Sequence, residues 1–440
     1  MPDFPAKRYV RALRNRGPRV VLHDRYNRWV NNQLLRKIVY PKIGPLHRAK
    51  LRFENNKKKK ALRHNSSQQA GTVYVVICVD TEGPGEIYEH KDWSLLHSHL
   101  EELFDVDNRM KYKDSVGNPF AMSWFIVDWV NSPPGPKASA VGHHAVYDPY
   151  FEWLEKTAPR GFADELYWHY HHCFPGKLGS WNRTWSKHPD YNEIICKKIF
   201  ERDYFPSVYR AGNTWEDADV SSWLERFVPF DYSNRGPWRS IHYDWLGAPT
   251  EWSIYHPSDD DPKKIGSQKR LMARSLDIEM HTFYNEEIES AFLDASLGYD
   301  RCLSFYVHDM RPMLQFVTGG LQRIQNISSN YPQVEWLHSN ARECMQKLTN
   351  REPSTIFHGQ GMITGRSVEV SFGEEIFGEP WLATLSRNGY ERHDMSKSSD
   401  GSWQTVLPQD PMYYERISAA ANNPAGQSSV IHLHDLGASS

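Results

Sequence analysis

Between Thr72 and Cys344 the chain alternates strand-like and helix-like stretches, and this alternation limits its folding choices more than any other feature. Residues 72–79, TVYVVICV, form a β-branched apolar run of strand length, and 120–130, FAMSWFIVDWV, form a second. Further strands are predicted near 164–170, up to Tyr209, over 227–232, over 303–307 and from Val334 to Leu337. Helices are predicted near 92–106, 147–157, 190–202, 215–227, 285–297 and 312–328, with a last one through Cys344. Strands without a polar face, separated by helix-length segments, belong to a parallel sheet covered by helices. The expected class is therefore α/β, with a largely parallel sheet or barrel over residues 71–350.

The flanks read differently. Residues 1–65 carry Lys or Arg at nearly every turn, Lys57 to Lys60 included, against Asp3, Asp24 and Glu54. The whole chain has a formal charge of −2, so the remainder is acidic. Residues 1–70 are thus expected to be a basic extension ending in a polar linker over 54–71. Within it, Val30, Leu34 and Ile38 form one apolar stripe on a basic helix over 24–39. Such a stripe either lies on an anionic membrane surface or packs on its own domain. From 351 to 440, short runs such as SVEVSF, WLATLS, WQTVLP and VIHLH alternate with Gly, Ser, Asn and Pro, predicting a small β-rich appendage.

Several classes are excluded. No G-x-x-x-x-G-K-[ST] loop is present, no run of about 18 apolar residues could span a bilayer, and no apolar stretch follows the N-terminal charges. The five cysteines are scattered and lack C-x-x-C spacing, which argues against a disulfide framework and a thiolate zinc site. The expected location is cytoplasmic, with the basic arm available for peripheral contact at the inner face of a membrane. Nucleic acid is not the expected partner.

The polar residues able to do chemistry fall at the C-terminal ends of the predicted strands. Asp80 and Glu82 follow TVYVVICV, His169 and His171 end the strand near 164–170, and Arg210 follows PSVY. Asp231 follows FVPF, and His308 follows LSFYV. In barrels and open parallel sheets that edge is where sites are assembled. Extended segments put residues i and i+2 on one side, so Asp80 pairs with Glu82, and His169 with His171. Two imidazoles and one carboxylate make an open three-ligand site, suited to zinc with a water in the fourth position, or to Fe(II). Taken singly, each residue has an ordinary structural role as a cap, a core histidine or an ion-pair partner. Their common placement is what points to a site.

The ordered motifs VYVVICVDTEG, ELYWHYHH, YRAGNTW, FDYS and SFYVHD resemble the polysaccharide deacetylase (NodB-like) superfamily over roughly residues 72–350. That resemblance implies a distorted (β/α) barrel and a divalent metal, most often zinc, used to remove acyl groups from sugars. It implies Asp80 as general base, Glu82, His169 and His171 as metal ligands, and Arg210 as the arginine that orients the base. Asp231 would tune the general acid, His308. Here Asp-Thr-Glu replaces adjacent aspartates, and Cys173 stands where a histidine four residues after His169 is usual, so His171 and His172 both remain candidates. Trp215, Tyr232 and Trp238, beside these motifs, are candidates for stacking on the sugar. The expected function is acyl removal from a saccharide or saccharide precursor, the alternative being a degenerate barrel that binds carbohydrate without cleaving it.

Overall fold

The computed structural model describes residues 33–64, 69–82, 93–129, 143–157, 161–171, 190–238, 244–309, 311–355 and 357–438. Seven strands lie side by side in chain order, all parallel: β1 (Thr72–Thr81), β2 (Met122–Trp129), β3 (Glu165–His171), β4 (Val208–Ala211), β5 (Phe230–Asn234), β6 (Leu271–Asp277) and β7 (Arg301–His308). β7 returns to pair with β1 from Val73–Arg301 to Asp80–His308, closing the ring. The other flank of β1 is shared. Its first half pairs with β8 (Glu335–Ser339) and its second half with β2, so β8 is wedged into the N-terminal end of the barrel. The expected α/β barrel is the fold, and this wedge is its distortion.

Helices clothe the outside: α1 (Gln33–His64), α2 (Trp93–Phe104), α3 (Val106–Met110), α4 (His143–Thr157), α5 (Asp190–Arg202), α6 (Ala218–Leu224), α7 (Asn285–Ser296), α8 (Met313–Ser328) and α9 (Ala341–Thr349). The period-2 rule sorts the strand side chains. Val76, Phe125, Tyr167, Val208, Phe230, Leu271 and Cys302 form one buried cluster drawn from all seven strands, which places it inside the ring. Val75, Ile77 and Val79 point the other way, into a layer with Leu293, Phe305 and Val317 under the helices. Both faces are apolar, which is why β1 reads as a continuous hydrophobic run.

Two stretches depart from expectation. β6, with sequence LMARSLD, was not predicted, because Arg274 and Ser275 interrupt its apolar run. Arg274 is nonetheless fully buried, held by both carboxylate oxygens of Glu287 on α7 at 2.7 Å. Residues 54–64, expected as linker, continue helix α1 to His64. Their support is tertiary. Lys58 and Lys59 reach Asp294 and Glu289 of α7 at 2.7 Å, and Arg52 reaches Glu286 at the same distance. Most of the 24–39 stripe lies outside the described residues. No helix among them is long and apolar enough to cross a membrane.

The β-rich C-terminal region consists of two four-stranded antiparallel sheets. One holds β9 (Gly359–Thr364), β10 (Ser367–Phe372), β13 (Ser396–Lys397) and β14 (Trp403–Val406). The other holds β11 (Trp381–Ser386), β12 (Gly389–His393), β15 (Arg416–Asn422) and β16 (Ser428–Asp435). Val368, Val370, Leu382, Ile417 and Ala419 form the core between them. Trp381 leaves that core to join Phe205, Trp223 and Phe227 of the barrel.

Candidate active site at the C-terminal rim of the barrel

Inward-facing positions at the strand ends bring the candidates together. Val76 and Cys78 point inside, and so does Asp80; Tyr167 is followed by His169, Val208 by Arg210, and Tyr306 by His308. Asp80 and His308 are register partners across β1 and β7, and His169 and Arg210 across β3 and β4. The sequence of each strand therefore fixes which side chain faces the axis, and ring closure fixes which ones meet.

Arg210 is the hub. Its Nε donates to Asp80 Oδ1 at 2.6 Å and its Nη1 to the Tyr232 carbonyl at 2.6 Å, with the guanidinium 3.7 Å over the Tyr306 ring. Burial opposes the charge on Asp80, yet Arg210, His169 and His308 outweigh it and hold the carboxyl below its ordinary range. Asp80 is thus a buried carboxylate kept ionised. His308 is its counterpart, with Nε2 4.0 Å from Asp80 Oδ2. Its Nδ1 faces Glu279 Oε2 at 3.1 Å, and its backbone N–H donates to Glu279 Oε1 at 2.6 Å. Burial opposes the imidazolium as well, but Glu279, then Asp80 and Asp277, push its pKa up to about 10. The His308 side chain keeps 23% of its surface exposed, against 4% for Asp80 and 1% for His169, so it is the member best placed to meet a ligand.

His169 Nδ1 lies 2.9 Å from the Arg210 carbonyl, which can only accept. In the neutral ring this assigns the proton to Nδ1 and leaves the Nε2 lone pair on the side of Glu82, whose Oε1 is 3.8 Å away. That gap is too long for a hydrogen bond. Zinc bonds of about 2.0–2.2 Å put two tetrahedral donors about 3.4 Å apart, somewhat closer than this pair stands. Asp309 orients this corner: its Oδ1 accepts from the Glu82 N–H and its Oδ2 from the Tyr150 hydroxyl, both at 2.9 Å. Among the described residues no group of three His, Cys, Asp or Glu side chains could hold a metal. The His171 side chain and all of His172 and Cys173 lie outside the described residues.

Four expected site residues are placed elsewhere. Phe230 and Tyr232 face the inside of the barrel, so Asp231 faces outward, where Arg270 Nη1 binds its Oδ2 at 2.9 Å and the Ser233 N–H binds its Oδ1. Arg270 also pairs with Glu216 there. The carboxylate beside His308 is Glu279, a residue beyond the unpredicted strand β6. Tyr232 is fully buried, with its hydroxyl donating to the Ala341 carbonyl at 2.8 Å, and offers a ligand no ring face. Trp238 is buried against His47 and Tyr284 under α1. Trp215 packs half-buried on the cluster outside β3 and β4.

The residues missed were Glu279, Asp277 and Asp309. Asp277 closes β6, and its Oδ2 accepts from the Tyr306 hydroxyl and from Arg235 Nη2, both at 3.0 Å. Its position after LMARSL obeys the same strand-end rule as the others. Recognising that segment as a strand would have exposed it.

No protein-family model and no curated protein matches the chain. Solved structures similar to it include an endo-beta-1,4-mannanase double mutant from Cellulomonas fimi, 11% identical with a TM-score of 0.25, covering 82% of this chain and 94% of that one. A modular endo-beta-1,4-mannanase from the same organism is 10% identical with the same TM-score and coverage. An engineered protein is 10% identical with a TM-score of 0.18, covering 77% of this chain and 70% of that one. Likenesses at these scores carry no argument about activity; the barrel is established by its own strand pairing.

Proposed function

We propose that the chain is a metal-dependent hydrolase that removes an acetyl or formyl group from a saccharide or saccharide precursor. The observation that carries this reading is the opposition of Asp80 and His308, a carboxylate held ionised and an imidazole held protonated, 4.0 Å apart at the open rim. Groups whose environments push their protonation states apart serve as base and acid in one reaction.

Asp80 accepts the proton of the attacking water, and Arg210 keeps its carboxylate aligned while engaging one of its oxygens. His308, reached from solvent, donates its proton to the departing amine or hydroxyl, and Glu279 fixes the ring that does so. Glu82 and His169, with a third donor from 171–172, would hold a divalent ion, zinc being the first candidate, which when bound supplies Lewis acidity toward the acyl oxygen. A second reading, a barrel that binds saccharides without cleaving them, draws on the departures from the family pattern at Asp80-Thr81-Glu82 and Cys173.

The test is metal analysis of the purified protein together with a screen for acetate and formate release from acylated saccharides. Asp80→Asn and His308→Ala should each slow turnover by roughly 10²–10⁴. Equal turnover by both variants and the unaltered protein would remove the proposed roles. Saccharide binding with no acid released by the unaltered protein would favour the second reading.

A further inference from the structure

Outside the ring, between the turn after β6 and helix α8, lies a cavity of about 390 Å³. Ile278, Phe283, Tyr284 and Phe316 form its apolar walls, and His281, Gln315 and Arg323 supply polar groups. None of the described residues that line it is a carboxylate. It shares the 277–279 turn with the rim cluster but opens on the helix side, and none of its lining residues belongs to that cluster.

Arg323 sets it apart. Among the described residues the fully buried arginines face carboxylates: Arg109 meets Asp164, Arg210 meets Asp80, Arg270 meets Asp231, and Arg274 meets Glu287. Arg323 is half-buried, and among the described residues it donates to two backbone carbonyls, Nε to Gly319 and Nη1 to Phe283. A guanidinium has five N–H groups, so three are left toward the cavity and solvent. Partial burial without a counter-charge works against the cation, and its pKa is lowered by that burial. An anion in the cavity would satisfy the remaining donors and the charge together.

Gly319 is a second, independent observation. It lies inside α8, where glycine costs roughly 0.5–1 kcal/mol relative to alanine. Its neighbour Gly320 has a packing reason, because a Cβ there would meet Ile278 and Phe305. Gly319 has none: a Cβ at that position would meet nothing within 4 Å. Gly319 is exposed, so its missing side chain leaves the opening of the cavity beside α8 clear. His281, held at φ 53° in the left-handed region, turns within the same loop, which Asp277 anchors through the Met280 and Thr282 N–H groups.

We infer that this cavity is a ligand site, separate from the rim, for a flat ring bearing a phosphate or carboxylate, with Arg323 as the partner of the anion and Phe316 and Tyr284 as walls for the ring. Pockets of this size with a few convergent polar groups among aromatic walls are of the kind that hold small molecules. The inference does not depend on the acyl hydrolase reading.

Calorimetric titration of the full chain with phenyl phosphate, benzoate, inorganic phosphate and phenol tests it. Phenyl phosphate or benzoate should bind once per chain, and whichever binds more tightly identifies the anion. Inorganic phosphate and phenol should each bind roughly tenfold more weakly or worse, having lost half of the contacts. Arg323→Gln removes the charge, and Gly319→Leu crowds the opening while leaving the guanidinium in place. Each should weaken the preferred ligand by roughly tenfold or more, with helix content unchanged by circular dichroism. Binding that survives both substitutions, inorganic phosphate binding as well as phenyl phosphate, or no binding by either ring anion would overturn the assignment.

Discussion

His308 stands among three carboxylates, Glu279, Asp80 and Asp277, that favour its charged form. The consequence for pH has a definite sign. Its folded pKa, about 10, lies above the ordinary 6.5, so its contribution to stability is complete below about 6.5 and is lost as pH rises through about 10. In its proposed role of general acid it must also be protonated to act, so turnover should fall on the alkaline side as His308 loses its proton. Glu279→Gln removes the first carboxylate while keeping the side-chain shape. The alkaline limb of the rate profile, and the His308 titration followed by NMR, should then both move to lower pH; an unmoved imidazole titration would show that Glu279 does not govern it. At this scale the sequence was legible wherever strand parity could be counted, as for Asp80, His169, Arg210 and His308. It misled at Asp231, where the choice between inside and outside turned on which of two adjacent residues begins the inward row.

Between elements, the basic surface of α1 meets the acidic surface of α7. Arg48 and Arg52 share Glu286, and His47 Nε2 sits 2.6 Å from Glu287 Oε1, whose carboxylate also holds buried Arg274. Glu287→Ala should destabilise the protein by about 3–5 kcal/mol in chemical unfolding, because it strands a fully buried guanidinium. Arg52→Ala, at a largely exposed position, should cost less than about 1 kcal/mol. Comparable losses from the two would mean that Arg274 has other means of support. The charge run at 57–60 read as a solvated linker because its composition is polar throughout. Nothing local in it specifies a helix as strongly as the acidic row on α7 does, and helices within proteins owe most of their stability to such packing.

Across the whole molecule, the sandwich and the barrel share an aromatic contact. Trp381 packs on Phe227, Trp223 and Phe205, and Asn422 Nδ2 donates to the carbonyls of Pro206 and Phe227 at 2.8 and 2.7 Å. Gly378, at φ 70°, lets the chain pass against the Arg226 carbonyl, where a Cβ would collide. Trp381→Ala should cost about 3–5 kcal/mol and lower the thermal midpoint of the barrel along with that of the sandwich. Two separate calorimetric transitions, with the barrel transition unmoved, would show that the two parts unfold independently.

The sequence by itself determined the alternation of strands and helices, the β-rich C-terminal region and the placement of polar groups at strand ends, because these depend on periodicities of two and 3.6 residues within short windows. Tertiary structure decided what those windows cannot contain. Closure of the ring brought Asp80 against Arg210 and His308 from 130 and 228 positions away. A buried ion pair turned the interrupted run LMARSLD into a strand and carried Glu279 to His308. Charge pairing across two surfaces made a helix of a stretch that reads as linker. In each case the deciding interaction reaches beyond a strand-length window, by 13 positions at Arg274–Glu287 and by far more elsewhere, and its energy is absent until the fold supplies the neighbour.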